Sequence, residues 1–302
     1  MLANSLEEIV DIEKIGDISS MDMNSLMELA KNERKLPANG DIKKVLVLAI
    51  DIQNDFMENG SLPVAGSHKD VENLIKFIYS NAGSITSIIA SLDTHTAYQI
   101  FHPCWWTNSS GDNPKPFTFI SSKDIEGGIW VPVRHKEHSI RYVKYLEENS
   151  RKSLIIWPYH CMLGTTGHCL EAQFSKMAYY HSMVRDSNFE IIVKGTSPTS
   201  EMYGIFRPEY DEGFEFETTL LDKLAGYDMV IIGGEAKSHC ALESLSQICE
   251  YYKDSRNVTE RIYLLEDCTS SISGFEQDTE AALLQMEGLY GIKRVKSTEL
   301  VI

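Results

Sequence analysis

The stretch YDMVIIGGEAKSHCALES, residues 227–244, joins an apolar run to two glycines and a cysteine-containing helical segment. A short apolar, β-branched run that leads through glycines into a helix is typical of a βα unit whose strand is buried on both faces. Cys240 would then lie at the start of the helix. The stretch by itself leaves three roles open for this cysteine: a buried small hydrophobe, a metal ligand or a nucleophile.

The same pattern recurs along the chain. The other short apolar runs are KVLVLAID (44–51), ITSIIASLD (85–93), SLIIWP (153–158), FEIIVK (189–194) and RIYLLED (261–267). The segments typical of helices cover residues near 68–80, 166–180, 216–224, 238–253 and 276–288. Strands that alternate with helices form βαβ units. We therefore predict an α/β fold that is doubly wound, with a mostly parallel sheet and helices on both faces.

Two segments stand outside this alternation. Residues 1–40 are acidic and contain SMDMNSLMELAKNERK, whose apolar spacing predicts a short amphipathic helix. We predict that they form a helical N-terminal extension that packs on or caps the main domain. The main domain covers 41–302, with an insertion at about 103–150 between the second and third predicted strands. Two separate domains are the alternative.

Composition excludes several classes of partner. The 302 residues carry a formal net charge of -16, which repels phosphate backbones, so we expect no nucleic-acid binding. No apolar run reaches the length of a membrane span, and the N-terminus lacks the basic and apolar regions of a signal peptide. The six cysteines are scattered, with no CxxC pair, as expected of reduced thiols. We therefore expect a cytoplasmic protein without a membrane partner.

Polar residues stand where the predicted strands end. In open α/β sheets, ligands bind beyond the carboxyl ends of the strands, so these side chains are candidates for one common site. The candidates are Asp51, Asp93, His95, His102, His160, Lys194 and Cys240.

Two chemistries are compatible with these residues. Asp93, His95 and His160, with His102 as a fourth candidate, form an oxygen and nitrogen ligand set suited to zinc, iron or manganese. The alternative is that the aspartate caps a turn and the histidines are ordinary polar residues with satisfied hydrogen bonds.

The second set is Asp51, Lys194 and Cys240. The positive end of a helix dipole and a nearby lysine both favour a thiolate, and a carboxylate in reach can accept the thiol proton. The alternatives are a buried cysteine, an exposed lysine at the end of a strand and an aspartate that forms a turn.

Five stretches, in this order, resemble the isochorismatase-like cysteine hydrolases and, within that family, the nicotinamidase-like branch. They are IDIQNDFMENGSLPV (50–64), DTH with the later His102 (93–102), WPYHCMLGTTG (157–167), VKG with the later Tyr203 (193–203) and GGEAKSHCALES (233–244). The resemblance covers roughly residues 43–302, apart from much of 103–150.

The resemblance implies a catalytic triad of Asp51, Lys194 and Cys240. It implies that Asp93, His95 and His160 bind a metal, with His102 matching less closely.

It further implies an oxyanion hole formed by the backbone N–H groups of Ala236 and Cys240, next to a cis peptide bond between Glu235 and Ala236. Phe56, Trp157 and Tyr203 match residues that contact the substrate ring.

The implied activity is the conversion of nicotinamide to nicotinate and ammonia through a cysteine thioester. The implied cofactor is one divalent ion, zinc first and iron or manganese as alternatives, which orients the substrate through its ring nitrogen. The partner would be a small-molecule amide, and a homo-oligomer is left open.

Two alternatives stand beside this function: a related hydrolase of another carboxamide or carbamoyl substrate, and a non-catalytic binding protein on the same fold. Glu235 departs from the apolar or small residues usual in the family in the turn before Cys240, which is the reason to consider other substrates.

Overall fold

A parallel sheet of six strands forms the centre of the molecule. The computed structural model describes residues 2–20, 22–33, 37–150, 153–210 and 218–302. The strands are β1 (Val45–Ile50), β2 (Ser87–Asp93), β3 (Phe189–Lys194), β4 (Met229–Gly234), β5 (Ile262–Leu265) and β6 (Lys293–Val295). Their order is β6-β5-β4-β1-β2-β3, and all neighbours are parallel. The predicted α/β fold with a parallel sheet is confirmed.

One strand that was predicted for the central sheet lies outside it. The run at 153–158 contributes only Leu154–Ile155, which pairs antiparallel with Phe119–Ile120 outside the central sheet. The third strand of the sheet is instead β3, as residues 189–194. Periodicity alone could not separate the two cases, because a short apolar run looks the same in a central strand and in a small satellite pair. The strand β6 is short and charged, and its sequence did not predict it.

Ten α-helices surround the sheet. They are α1 (Leu6–Ile9), α2 (Met23–Lys31), α3 (Ser67–Ser80), α4 (Ser122–Glu126), α5 (Lys136–Tyr145), α6 (Ala172–Arg185), α7 (Thr218–Leu224), α8 (Leu242–Tyr251), α9 (Arg256–Thr259) and α10 (Glu276–Tyr290), counted within the described residues. Single 3₁₀ turns cover Ile12–Lys14, Ala38–Gly40, Asn54–Phe56 and Pro103–Trp105, and π-helical turns cover Leu146–Ser150 and Lys237–Ala241.

Strand β1 shows why helices cover both faces. All six of its residues are buried, and alternate side chains point to opposite faces of a strand. Val45 and Val47 pack in a core that includes residues of α3 and α6. Leu46 and Leu48 pack in a second core that includes residues of α7, α8 and α10. A strand with no polar face can be stable only between two helical layers.

The N-terminal segment docks on α6 through one buried carboxylate. Glu33 Oε1 accepts hydrogen bonds from Asn4 Nδ2 at 3.0 Å and from the Tyr180 hydroxyl at 2.6 Å. The Tyr79 hydroxyl donates to the carbonyl of Asn4 at 3.0 Å. This network ties the beginning of the chain to α2, α3 and α6.

The segment 103–150 forms a small lobe rather than a free loop. Trp106–Thr107 pairs antiparallel with Val131–Pro132. Trp105 and Trp106 are both buried; the Trp105 indole donates to Ser139 Oγ at 3.0 Å. The buried side chains of the lobe belong to the same core as one face of the central sheet, so the lobe is packed onto the main domain.

All six cysteines are free thiols. Within the described ranges, no helix combines the length and apolar character needed to cross a lipid bilayer.

Replacing Tyr180 by Phe tests the docking of the N-terminal segment. The change removes a hydroxyl that pairs with Glu33 and Asn4 in a buried setting, so the free energy of unfolding should fall by about 1–3 kcal/mol. Urea denaturation measures it. The matched control is Tyr98→Phe, since Tyr98 is 45% exposed. Equal stability of the two variants would contradict the role of this network.

Candidate active site and metal centre

The site lies where the order of the sheet reverses, between β1 and β4. Ligands bind at such switch points because the chain leaves the two strands in opposite directions and opens a crevice. Asp51 follows β1 directly, and the turn that leads to Cys240 follows β4. The N–H of Glu235 donates to the carbonyl of Ile50 at 2.8 Å, which holds the two strand ends together.

Glycine is required at position 234. Its φ is +118°, and a Cβ there would lie 2.0 Å from the carbonyl oxygen of Ile50. The next peptide bond, between Glu235 and Ala236, is cis, as predicted. A π-helical turn over Lys237–Ala241 follows and places Cys240, which is 5% exposed, below the end of the sheet.

Lys194 lies at the centre of the predicted triad. Its Nζ is 3.0 Å from Asp51 Oδ2, 2.9 Å from Asp93 Oδ1 and 3.6 Å from Cys240 Sγ. It also donates to the carbonyl of Met202 at 3.0 Å. Although burial disfavours its charge, the facing carboxylates and the thiol raise the pKa of Lys194 well above its usual range. The side chain is therefore a permanent cation inside the protein.

Asp51 is placed to act as a base. The Ser91 hydroxyl donates to Asp51 Oδ1 at 2.5 Å and accepts from the Asp51 N–H at 3.0 Å. Burial raises the pKa of the Asp51 carboxyl, and the charge of Lys194 only partly opposes the rise. A carboxylate with a raised pKa is a stronger proton acceptor than one in water.

The state of Cys240 differs from the expectation of a favoured thiolate. Burial raises the pKa of the Cys240 thiol well above its usual value, and Asp51 and Asp93 raise it further, while Lys194 opposes them. The resting sulfur is thus a neutral thiol. A proton acceptor is needed at the moment of attack, and Asp51 lies in reach, with a carboxylate oxygen within 4.8 Å of the sulfur.

The predicted metal ligands also come together. One atom each of Asp93, His95 and His160 lies within 4.8 Å of the others. His95 Nε2 is 2.8 Å and His160 Nε2 is 3.6 Å from Asp93 Oδ2. His102 lies beside them, with its ring centroid 5.8 Å from that of His95.

Two of these histidines, His95 and His160, each have one ring nitrogen against a backbone carbonyl. Nδ1 of His95 faces the carbonyl of Gly195 at 3.2 Å, and Nδ1 of His160 faces that of Pro158 at 2.8 Å. A carbonyl only accepts, so Nδ1 of His160 carries a proton. His95 faces an acceptor on both ring nitrogens, the Gly195 carbonyl and Asp93 Oδ2, and a neutral ring can donate to only one of them. Burial lowers the pKa of His95, which keeps its ring neutral.

His102 shows the same arrangement. Its Nδ1 faces the carbonyls of Thr96 and Ala97 at 3.0 and 3.2 Å, and its Nε2 is buried without a hydrogen-bond partner. Burial lowers the pKa of His102 to about 3, so the ring is neutral.

These observations fit a bound cation. The neutral ring of His95 cannot donate to both of its acceptors, and Nε2 of His102 is buried without a hydrogen-bond partner, so a cation among these atoms would satisfy lone pairs that are otherwise unpaired. The donor set is one carboxylate and imidazoles, which suits zinc, iron or manganese. A second cluster of possible ligand atoms, from Asp51, Asp93 and Cys240, surrounds the ammonium of Lys194 rather than an empty space.

A small cavity of about 20 Å³ lies over the thiol. It is lined by Phe56, Leu62, Asp93, Trp157, His160, Glu201, Tyr203, Ala236, His239, Cys240 and Ile272. The three residues predicted to contact the substrate, Phe56, Trp157 and Tyr203, are among them. So are Ala236 and Cys240, the two residues predicted to form the oxyanion hole.

Sequence reasoning missed Glu201. This glutamate is buried in the cavity wall, and burial together with the charge of Asp93 raises its pKa to about 8. It follows Lys194 by seven residues in a segment without regular structure, so no periodicity pointed to it. Its burial, which is unusual for a glutamate, is visible only in the structure.

Sequence reasoning also missed Gln53. Its amide group accepts from the N–H of Asp93 at 2.7 Å and donates to the carbonyl of Asp93 at 2.8 Å, which fixes the backbone of a predicted ligand.

Glu235 faces away from the cavity, toward α3. It is fully buried, and its side chain shares a hydrogen bond with Asp70. The N–H of Ser270 also donates to Glu235 Oε2 at 3.4 Å. Burial and the charge of Asp70 raise the pKa of Glu235 well above its usual value, so Glu235 carries the proton of the pair and Asp70 accepts it. The residue therefore supports the turn that carries Cys240 on the side away from the cavity.

The Asp70→Asn variant tests this pair through pH. Burial raises the pKa of Asp70 from 3.8 to about 6, so the stability that the neutral group contributes is complete below pH 3.8 and is lost as pH rises through about 6. At 1.36 kcal/mol per pKa unit the full effect is about 3 kcal/mol, of which about 2 kcal/mol should appear as a rise in the free energy of unfolding of the variant relative to wild type from pH 4 to 7.

Chemical denaturation followed by tryptophan fluorescence at several pH values measures this difference. Asp254→Asn on the exposed surface is the control, and its stability relative to wild type should stay constant. A constant difference for Asp70→Asn would exclude the raised pKa of Asp70.

No protein-family model and no curated protein matches the sequence. Solved structures do match. The Acinetobacter baumanii nicotinamidase pyrazinamidase is 21% identical with a TM-score of 0.53, and the match covers 87% of this chain and 100% of that chain. The yeast nicotinamidase Pnc1p bound to the inhibitor nicotinaldehyde is 17% identical with a TM-score of 0.59, covering 83% and 99%.

A third match is PnC1 from L. infantum in complex with nicotinate, 19% identical with a TM-score of 0.52, covering 89% of this chain and 98% of that chain. These matches span nearly the whole of each neighbour. The chain therefore has the isochorismatase-like fold that the nicotinamidase structures share.

Proposed function

We propose that this protein is a cysteine amidohydrolase of the isochorismatase-like family that converts nicotinamide to nicotinate and ammonia. The observation that carries the proposal is the buried cluster of Asp51, Lys194 and Cys240 beside Asp93. A thiol, a base with a raised pKa and a fixed cation in one cavity are the parts that nucleophilic hydrolysis of an amide needs.

The first half-reaction forms a thioester. Asp51 accepts the proton of the Cys240 thiol, and the sulfur attacks the carboxamide carbon. The N–H groups of Ala236 and Cys240, at the floor of the cavity, are proposed to stabilise the oxyanion. Asp51 then returns the proton to the amide nitrogen, the carbon–nitrogen bond breaks and ammonia leaves.

The second half-reaction releases the acid. Asp51, again a carboxylate, removes a proton from a water molecule that attacks the thioester carbon. The carbon–sulfur bond breaks, and Cys240 recovers its proton. Lys194 holds Asp51 and the sulfur together through both steps, since its charge pairs with whichever of the two is anionic.

The metal centre is proposed to orient the substrate. Asp93, His95 and His160, with His102 beside them, would hold one divalent ion, and zinc, iron and manganese all suit these donors. When bound, the ion supplies a Lewis-acid site for the ring nitrogen of the amide. Phe56 and Trp157 then supply apolar walls for the ring.

Two of the matching structures support this choice of substrate, since they are complexes with nicotinaldehyde and with nicotinate. Another carboxamide or a carbamoyl substrate is the second candidate, and the buried Glu235 behind the nucleophile turn is the departure that favours testing it.

The Cys240→Ala variant should lose ammonia release from nicotinamide by more than about 10³-fold, because no other group in the cavity is a nucleophile of comparable strength. A coupled ammonia assay on a panel of small carboxamides measures it. Cys249→Ala is the matched control, since Cys249 is an equally buried cysteine on α8 outside the cavity. Activity in Cys240→Ala, or none in wild type on any amide, would reject the proposal.

Removal of a ligand should lower metal binding without unfolding the protein. We expect about one divalent ion per chain in protein kept from chelators, and an affinity at least about 10-fold weaker in His95→Ala, because the site loses a nitrogen donor. Elemental analysis and chelator competition measure both. His135→Ala, an exposed histidine, is the control. Wild-type protein without metal, or unchanged affinity in His95→Ala, would reject the metal site.

A further inference from the structure

A second cavity of about 320 Å³, called the outer cavity below, lies next to the cavity over Cys240, which is called the catalytic cavity. Its walls include Phe119 and Ile155 of the short antiparallel strand pair, together with Leu242 of α8 and Phe275. Tyr203 and His239 line both cavities, so the two spaces share a wall.

The volumes of the two cavities indicate different uses. The catalytic cavity, at about 20 Å³, has room for a single water-sized group, whereas pockets that bury small ligands measure roughly 300–1,000 Å³. A substrate ring between Phe56 and Trp157 fills the catalytic cavity, so a substituent on that ring has to lie outside it. The outer cavity lies in the range required for the body of a ligand.

The imidazole of His239 forms the partition. Its ring centroid lies 5.3 Å from those of Trp157 and Tyr203 and 4.7 Å from that of Phe275. Its Nδ1 is 2.8 Å from Ser238 Oγ, a neighbour on the same turn. Together with Tyr203, this side chain separates the two cavities, because both residues line each of them.

The chemistry of the outer cavity is apolar within and acidic at its edge. Phe119 is 57% exposed and presents apolar surface at this cavity. The carboxylates of Glu243 and Asp278 also line the cavity. This combination favours an apolar group and disfavours an anionic one.

We propose that the outer cavity is a binding subsite for the part of the substrate distal to the scissile bond, and that the preferred substrates are aromatic carboxamides with an apolar ring substituent. The proposal rests on the proposed function, since it assumes that the carboxamide binds at Cys240. It also assigns a role to the inserted lobe, which contributes Phe119 to the subsite.

The test compares nicotinamide with phenyl-substituted nicotinamides, one for each free ring carbon, and with the same compounds carrying a carboxylate on the phenyl group. We expect at least one phenyl isomer to have a higher kcat/KM than nicotinamide and its carboxylate form to lose that advantage. In Phe119→Ala, the ratio of kcat/KM for that isomer to kcat/KM for nicotinamide should fall about 10-fold, the usual effect of one lost apolar contact.

Ile129→Ala is the matched control: Ile129 is 54% exposed on the same lobe and does not line the cavity, so the ratio should not change. If wild type hydrolyses nicotinamide but neither binds nor hydrolyses any phenyl isomer, the subsite is rejected and the proposed function stands. A ratio unaffected by Phe119→Ala rejects it as well.

Failure of the proposed function is recognised separately. If wild type hydrolyses no amide, titration calorimetry of the phenyl isomers with Cys240→Ala still shows whether the outer cavity binds a ligand. Binding that weakens in Cys240→Ala/Phe119→Ala supports a ligand site there, and the absence of binding overturns it.

Discussion

The ammonium group of Lys194 is the constraint on which the site depends. A buried charge is stable only when it is paired, and this one pairs with Asp51 Oδ2 at 3.0 Å and Asp93 Oδ1 at 2.9 Å. Each residue ends a different strand, so the parallel sheet is what brings the three charges to one point. The pKa of Lys194 is raised and that of Asp93 is lowered well below its usual value, although burial acts in the opposite sense on both.

Asp93 joins the two halves of the site. One carboxylate oxygen faces Lys194, and the other faces His95 at 2.8 Å and His160 at 3.6 Å. The proposed catalytic cluster and the proposed metal ligands thus contact opposite oxygens of a single carboxylate. Gln53 fixes the backbone of that residue on both its N–H and its carbonyl. A disturbance of Asp93 would therefore reach both centres at once.

The turn that carries Cys240 is supported, on the side away from the cavity, by groups that have no role in the proposed reaction. The shared proton of Glu235 and Asp70 links the turn to α3. Lys237, on the same turn, forms an ion pair with Glu266 at 3.1 Å, beyond the end of β5. A nucleophile needs a rigid backbone around it, and here polar contacts on the far side of the turn provide that rigidity.

The sequence by itself determined the alternation of strands and helices and the residue types at the strand ends, because both are local: a buried parallel strand has to be apolar, and a site in such a fold lies beyond its carboxyl end. It did not distinguish the run at 153–158 from a central strand, since pairing is decided by distant residues. Only the tertiary structure decided that burial keeps the Cys240 thiol neutral and that Glu201 lines the cavity. Desolvation depends on everything packed around a group, and no stretch of sequence contains that information.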